Sequence, residues 1–145
     1  MKKISVICFL FLTSAITCLS ENNKQKSELQ INTFNYLPKE IDGCRSCFYL
    51  SKIDKRLNKY IYVNDFAKYS FIKIGNQLEK FTLVKNYSIG KIDVYLYKNK
   101  SIQLKIEIKT KKVIGEEDTN VTGTMTVETS EDGKKIIDFI GDIGC

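Results

Sequence analysis

Residues 102–109 alternate strictly between apolar and polar side chains, in the order Ile-Gln-Leu-Lys-Ile-Glu-Ile-Lys. On a β-strand this alternation places all four apolar side chains on one face and the polar ones on the other. On a helix the same residues would be scattered around the axis, and no continuous apolar face would form. The segment therefore predicts a strand that is half buried, so the chain must supply a sheet with a covered face.

The same two-residue period recurs along the chain after residue 44. Further strands are expected at 48–50, 60–63, 69–74, 78–84, 92–97, 121–129 and 136–140, and turn residues such as Asn64-Asp65 and Gly75-Asn76 separate them. One short helical turn is expected over 52–58. About seven strands at spacings near ten residues predict an all-β fold. A small antiparallel β-barrel or sandwich with meander-like connections fits best, because an open sheet would expose an apolar face and two edges.

The first twenty residues have the organisation of a bacterial export signal. A basic start, Met1-Lys2-Lys3, precedes an apolar stretch at 4–12 that is interrupted by Ser5, and small and polar residues follow. This stretch is too short for a membrane-spanning helix. We therefore expect a signal peptide at 1–20, a flexible polar lead-in at 21–40 and a β domain at 41–145.

Residues 15–18, Ala-Ile-Thr-Cys, resemble a bacterial lipobox, in which the cysteine becomes lipidated and N-terminal. Thr17 stands where Gly, Ala or Ser is usual. The resemblance implies a lipoprotein whose one membrane contact is a lipid anchor at Cys18, and ordinary cleavage near Ser20 is the alternative. Either way the chain is expected to be exported, to the periplasm, to the outer membrane or into the medium.

Three cysteines, Cys44, Cys47 and Cys145, remain if Cys8 is removed with the signal and Cys18 carries lipid. An oxidising compartment favours one disulfide and one free thiol from an odd set of three. The favoured bridge joins the Cys44–Cys47 segment to Cys145. It closes a loop of about a hundred residues, for which about 2–4 kcal/mol of stabilisation is typical.

Two other roles for these cysteines remain open. Cys44 and Cys47 have the C-x-x-C spacing of thiol oxidoreductases, but such a pair needs its first thiol at a helix N-terminus, and 48–50 is expected to be a strand. The three cysteines could also supply three thiolate ligands to a zinc ion, with Asp142 as the candidate for the fourth ligand. A closed zinc site normally uses four sulfur or nitrogen donors. No metal and no cofactor is therefore expected.

Composition and charge argue against several function classes. The chain has no histidine, which excludes histidine-based triads and imidazole pH switches. Without Lys2 and Lys3 it carries 21 basic and 17 acidic residues, a net charge of about +4 that is modest for a surface. The lysine-rich stretches at 52–59, 98–100, 109–112 and 134–135 fall at turns and solvated faces. Nucleic-acid binding is therefore not expected. Enzymatic activity is not expected either, because the densest acidic cluster, at 116–118, lies in a solvated loop that does not give carboxyl groups contrasting environments.

Tyr95 and Tyr97 are the candidate binding residues. Ile92, Val94 and Leu96 are assigned to the core face of their strand, which places the two tyrosines on the outer face. An exposed aromatic patch on an exported barrel suits the binding of a protein or a glycan. The alternative is cross-strand aromatic pairing that stabilises the sheet.

Three short motifs carry a further resemblance: Asp42-Gly43-Cys44 with Cys47-Phe48-Tyr49, then residues 59–65 (Lys-Tyr-Ile-Tyr-Val-Asn-Asp), then the terminal Gly-Asp-Ile-Gly-Cys. They resemble a group of small exported or lipoprotein-like proteins of Gram-negative bacteria. Those proteins end in Cys-Gly-Cys, where this chain has Ile143-Gly144-Cys145, so a second bridge is not carried over. The chain is more loosely similar to periplasmic lysozyme inhibitors, which are small disulfide-tied β-barrels.

These observations together predict a non-enzymatic binding module of the cell envelope. An inhibitor or an immunity-type protein is its most concrete form, with an envelope or secreted protein, or a ligand, as the partner. A thiol redox protein and a structural envelope lipoprotein are the alternatives.

Overall fold

A computed structural model describes residues 29–131 and 133–145 of the chain. The expected signal peptide, the lipobox cysteine Cys18 and the first part of the lead-in lie outside the described residues. The described elements are nine strands and one helix in the order β1 (Ile31–Asn32), β2 (Arg45–Tyr49), α1 (Lys52–Arg56), β3 (Tyr62–Asn64), β4 (Tyr69–Ile74), β5 (Gln77–Ile89), β6 (Ile92–Lys98), β7 (Ile102–Val113), β8 (Thr119–Thr129) and β9 (Gly133–Gly144).

Strands β2 to β9 form a closed antiparallel barrel. Each strand pairs with the next one in the chain, and β9 returns to pair with β2 from Arg45↔Gly144 to Tyr49↔Ile140. Strand β1 lies outside this ring and pairs with β4. The all-β, antiparallel, meander-like prediction is confirmed, and the fold is a barrel rather than a sandwich. About seven strands were expected; the ring has eight, and β1 is additional.

The barrel interior contains the main hydrophobic core. The alternation in β7 has the predicted effect, because Leu104, Ile106 and Ile108 are all buried there. The rings of Phe48 and Phe139 stack in this core with their centroids 4.0 Å apart. The core also includes Leu29, Ile61, Tyr62, Ile72, Phe81, Tyr97, Val121, Met125 and Val127.

The described part of the lead-in is structured, which corrects the expectation of a flexible segment up to residue 40. Leu29 is buried in the barrel core, and its carbonyl oxygen accepts a hydrogen bond from the Lys135 ammonium at 3.0 Å. Phe34 packs on the outer wall in a second cluster with Cys47 and Val63. The polar composition concealed these few apolar side chains, and their burial is what holds the segment against the barrel.

Helix α1 confirms the expected helical turn. The Ser51 hydroxyl accepts a hydrogen bond from the backbone N–H of Asp54 at 3.1 Å, which is an N-cap contact. The ammonium of Lys55 then reaches Asp142 at 2.5 Å and Asn120 at 3.2 Å. These two contacts hold the helix against the outer faces of β8 and β9.

Candidate binding site

One end of the barrel contains a cavity of about 200 Å³. We call this end the mouth; β3, β5, β7 and β9 end there, and β2, β4, β6 and β8 begin there. Aromatic and branched side chains form most of the cavity wall, namely Phe48, Tyr62, Phe66, Tyr95, Ile106 and Ile108. A concave, mainly apolar site with a few polar groups is the usual form of a ligand-binding pocket.

The buried side chain of Asn64 organises the polar part of the cavity wall. Its Oδ1 accepts a hydrogen bond from the backbone N–H of Ser46 at 3.0 Å, and its Nδ2 donates to the hydroxyl of Tyr97 at 3.1 Å. The three residues belong to β3, β2 and β6. Asn64 therefore cross-links three strands through the interior, just below the mouth.

Tyr95 and Tyr97 face the interior, and the prediction that they form an exposed outer patch is wrong. Tyr97 is 4% exposed and Tyr95 is half-buried against the core. Their cross-strand neighbours are the inward-facing residues Leu104 and Ile106. Both faces of β6 carry apolar side chains, so alternation alone could not identify the inner one. Asn64 provides the polar partner that allows a tyrosine ring to be buried here.

The phenol groups around the cavity are held in the neutral form. Burial raises the pKa of Tyr95 and of Tyr97, and it raises the pKa of the fully buried Tyr62 well above its ordinary value. Tyr62 and Tyr97 also lie edge to face, with their ring centroids 6.2 Å apart. Tyrosine is already neutral at physiological pH, and the raised pKa values extend the uncharged state of this wall into alkaline solution.

A charged pair, Lys111 and Asp93, lies at the edge of the cavity. The Lys111 ammonium donates to Oδ2 of Asp93, and the Ser88 hydroxyl donates to Oδ1 at 2.7 Å. The hydrogen bonds from Lys111 and Ser88 lower the pKa of the Asp93 carboxyl. This contact ties β7 to β6, which are otherwise diverging here: the last five residues of β7, 109–113, extend past its pairing with β6.

Phe66 lies at the cavity entrance, in the loop between β3 and β4. Its φ angle of 60° lies in the left-handed region, which bulky residues rarely adopt. The loop is held by Asp65, whose Oδ1 accepts hydrogen bonds from three backbone N–H groups, those of residues 67, 68 and 69, at 3.0, 2.8 and 2.9 Å. The sequence had indicated a turn at Asn64-Asp65. In the sequence, the one feature that could have drawn attention to Phe66 is its position as an aromatic residue directly after the turn residues Asn64-Asp65.

Four exposed apolar residues accompany the cavity at the mouth: Tyr87, Ile89, Val113 and Ile114, which we call the apolar rim. Val113 is 73% exposed and Ile89 is 62% exposed. They lie at or just after the ends of β5 and β7, next to two of the three connections between consecutive strands at this end. None of the four lines the cavity, but exposed apolar side chains at the same end of the barrel as a pocket are candidates for an interaction surface.

The cysteines occupy two different environments. Cys44 and Cys145 form a disulfide, which confirms the predicted bridge between the Cys44–Cys47 segment and Cys145. This bridge joins the start of β2 to the end of β9 at the mouth. Cys47 is a free, buried cysteine of the second cluster on the outer wall. Burial raises the pKa of its thiol. The two cysteines of the C-x-x-C motif are thus not paired with each other in this structure.

Asp142, the suggested fourth zinc ligand, forms a salt bridge with Lys55 instead. Within residues 29–131 and 133–145, no three side chains of His, Cys, Asp or Glu come together in an arrangement that could hold a metal ion.

Comparison with known proteins finds no family model, no characterised protein and no solved structure that matches this chain. In the described ranges there is also no helix with the length and apolar character needed to cross a membrane.

Proposed function

We propose that this chain is an exported, non-enzymatic binding module of the cell envelope and that the mouth of the barrel is its binding surface. The partner is an envelope or secreted protein, and inhibition by occlusion or immunity is the most concrete role. The observation that carries this proposal is the aromatic cavity that opens beside the apolar rim at one end of a closed barrel.

The arrangement suits a protein partner. Binding energy at protein interfaces is concentrated in a few aromatic and apolar groups that fit into pockets, with near-neutral contacts around them that exclude water. The cavity offers such a pocket, and Val113 and Ile114 offer the surrounding contacts.

The construction of the mouth also lowers the cost of docking. The Cys44–Cys145 bridge and the contacts of Asn64 fix the strands around the cavity before a partner arrives. Binding then orders few groups, and less of the interaction free energy is lost as conformational entropy.

The chemistry of the cavity wall supports binding rather than catalysis. Besides its neutral tyrosines, Lys111 is the ionisable residue among the described residues of the wall, and its ammonium contacts Asp93. General acid–base catalysis usually depends on a pair of titratable groups in contrasting environments.

Affinity capture from envelope extracts tests the proposal, with the exported chain compared against two variants. Ile114→Asp places a charge on the apolar rim, and Ile136→Asp places the same charge at an equally exposed position on β9, near the opposite end of the barrel. We expect a protein that is retained by the wild type and by Ile136→Asp and is lost with Ile114→Asp. Equal retention by all three chains would refute the mouth as the binding surface.

A further inference from the structure

We propose that the group bound in the cavity is a single aromatic ring and that Phe66 covers it once it has entered. This inference rests on the proposed function, because it names the chemistry that the mouth would recognise. The ring belongs to a side chain of the partner protein. A free aromatic compound offers the same chemistry and is used below as the probe.

The size of the cavity limits its occupant to about one ring. Its volume is about 200 Å³. An apolar protein cavity of about 150 Å³ binds benzene, so this one has room for a six-membered ring or an indole, and too little for a long acyl chain or a fused polycyclic compound.

The wall of the cavity matches a ring in chemistry as well as in size. Phe48, Tyr62 and Tyr95 contribute aromatic surface, and Ile108 contributes an aliphatic one. Aromatic rings attract one another in offset-stacked or edge-to-face arrangements, as the Tyr62–Tyr97 pair already shows in this interior. A saturated ligand of equal volume gains the apolar contact but lacks this additional attraction.

Phe66 is held at the entrance in spite of an unfavourable backbone conformation. It is one of two non-glycine residues with a positive φ in the described part of the chain; the other is Asn58, which follows α1. Asparagine tolerates this conformation, whereas a bulky residue is strained in it. Such strain is often found at ligand clamps.

The folded barrel alone buries the side chain of Phe66 only in part. It lines the cavity yet is 42% exposed. An aromatic guest would supply the missing contact and would bury the exposed part of the Phe66 ring. This gives a reason for a strained phenylalanine where a glycine would be relaxed.

Titration of the exported chain with indole, followed by protein NMR, tests the inference with Phe66→Gly and Asn58→Gly as a matched pair. Both variants relax a positive φ, but Phe66→Gly also removes the buried part of the ring, so the Tm of each variant is measured and indole binding is compared well below it. We expect saturable indole binding that shifts the signals of cavity residues and weakens about fivefold to tenfold in Phe66→Gly. Asn58→Gly should bind indole like the wild type. Cyclohexanol, which is saturated, should bind more weakly than phenol.

Indole binding that is absent, or unchanged in Phe66→Gly, would overturn the inference. This failure differs from failure of the proposed function, because the effect of Ile114→Asp on partner capture does not depend on indole. Excess indole should also displace a captured partner whose ring occupies the cavity. If capture of the partner requires Ile114 but persists in excess indole, the proposed function stands and the inference that an aromatic ring occupies the cavity is refuted.

Discussion

Asn64 donates a hydrogen bond to the hydroxyl of Tyr97 across the barrel interior, over 3.1 Å and 33 positions of sequence. The same side chain accepts from the backbone N–H of Ser46. One amide thus satisfies a buried phenol and a buried peptide group on two other strands. The arrangement positions the polar wall of the cavity and fixes the direction in which the Tyr97 ring points.

Loss of this amide should cost more than loss of the phenol it contacts. Asn64→Ala leaves the Ser46 N–H without its partner and removes one of the two side-chain partners of the Tyr97 hydroxyl, the other being Tyr62. We expect it to lower the free energy of unfolding by about 2–4 kcal/mol. Tyr97→Phe removes the neutral hydrogen bonds of this hydroxyl with Asn64 and Tyr62 and should cost about 1–2 kcal/mol. Urea unfolding of both single variants and of the double variant measures their coupling. An Asn64→Ala cost no larger than that of Tyr97→Phe would contradict this role.

Gly123 should tolerate no side chain. It faces Ile108 where the β7–β8 register shifts, and a Cβ there would collide with the carbonyl oxygen of Glu107 and lie 2.7 Å from the Phe139 ring. Because the backbone of a central strand cannot retreat, Gly123→Ala should destabilise the barrel by about 2–3 kcal/mol. At Gly115 the nearest atom to a new Cβ is 3.7 Å away, so Gly115→Ala is the control, with an effect below about 0.5 kcal/mol. Similar unfolding midpoints for the two variants would refute the close approach.

The bridge between Cys44 and Cys145 should be a major contribution to stability. It closes a loop with a sequence separation of 101 and ties the first barrel strand to the last. The Cys44→Ser, Cys145→Ser double variant should lose about 2–4 kcal/mol in denaturant unfolding under non-reducing conditions. Cys47→Ala removes a thiol that forms no bridge, and we expect a loss of about 1 kcal/mol or less. Equal losses from the two variants would argue against this pairing.

The buried tyrosines should make the fold sensitive to alkali. Burial raises the pKa of Tyr62 and of Tyr97, so the folded chain holds these phenolic protons more tightly than the unfolded chain does. Their contribution to stability is complete below the unfolded pKa of about 10 and is lost as the pH rises from there through the folded pKa. Urea midpoints should therefore fall above about pH 10, and less so in Tyr97→Phe. Ionisation of every tyrosine in the folded chain near pH 10, seen in the tyrosinate absorbance, would contradict the prediction.

Local pattern was sufficient to predict the strands. The cysteine count predicted a bridge between the Cys44–Cys47 segment and Cys145, and the structure shows that Cys44 is the partner. The alternation of residues 102–109 predicted β7 and its buried face because a single face carries all the apolar residues. The same logic failed for β6, where Val94 and Tyr95 give both faces apolar character. It also failed for Leu29 and Phe34, whose burial depends on surfaces that exist only after the barrel has closed.

The candidate site could not be found from sequence spacing. Its parts come from β2, β3, β6, β7, β8, β9 and the loop after β3, which meet because the barrel closes. Asn64 and Asp65 were recognised as turn residues, and the contacts that make Asn64 a cross-link are remote in sequence. Phe66 has its positive φ in a loop where its own N–H bonds to the Asn64 side chain and the next three N–H groups bond to Asp65, and no periodicity indicates these contacts.

Photo-crosslinking from two matched positions tests most directly that the mouth is the binding surface. Ile114 at the mouth is 56% exposed, and Ile136 on the outer face of β9 is 61% exposed. A benzophenone amino acid placed at either position in the exported chain samples the surroundings of that position in intact envelopes. We predict a discrete protein adduct from position 114 and none from position 136. Adducts of equal yield from both positions, or an adduct from position 136 alone, would contradict the account.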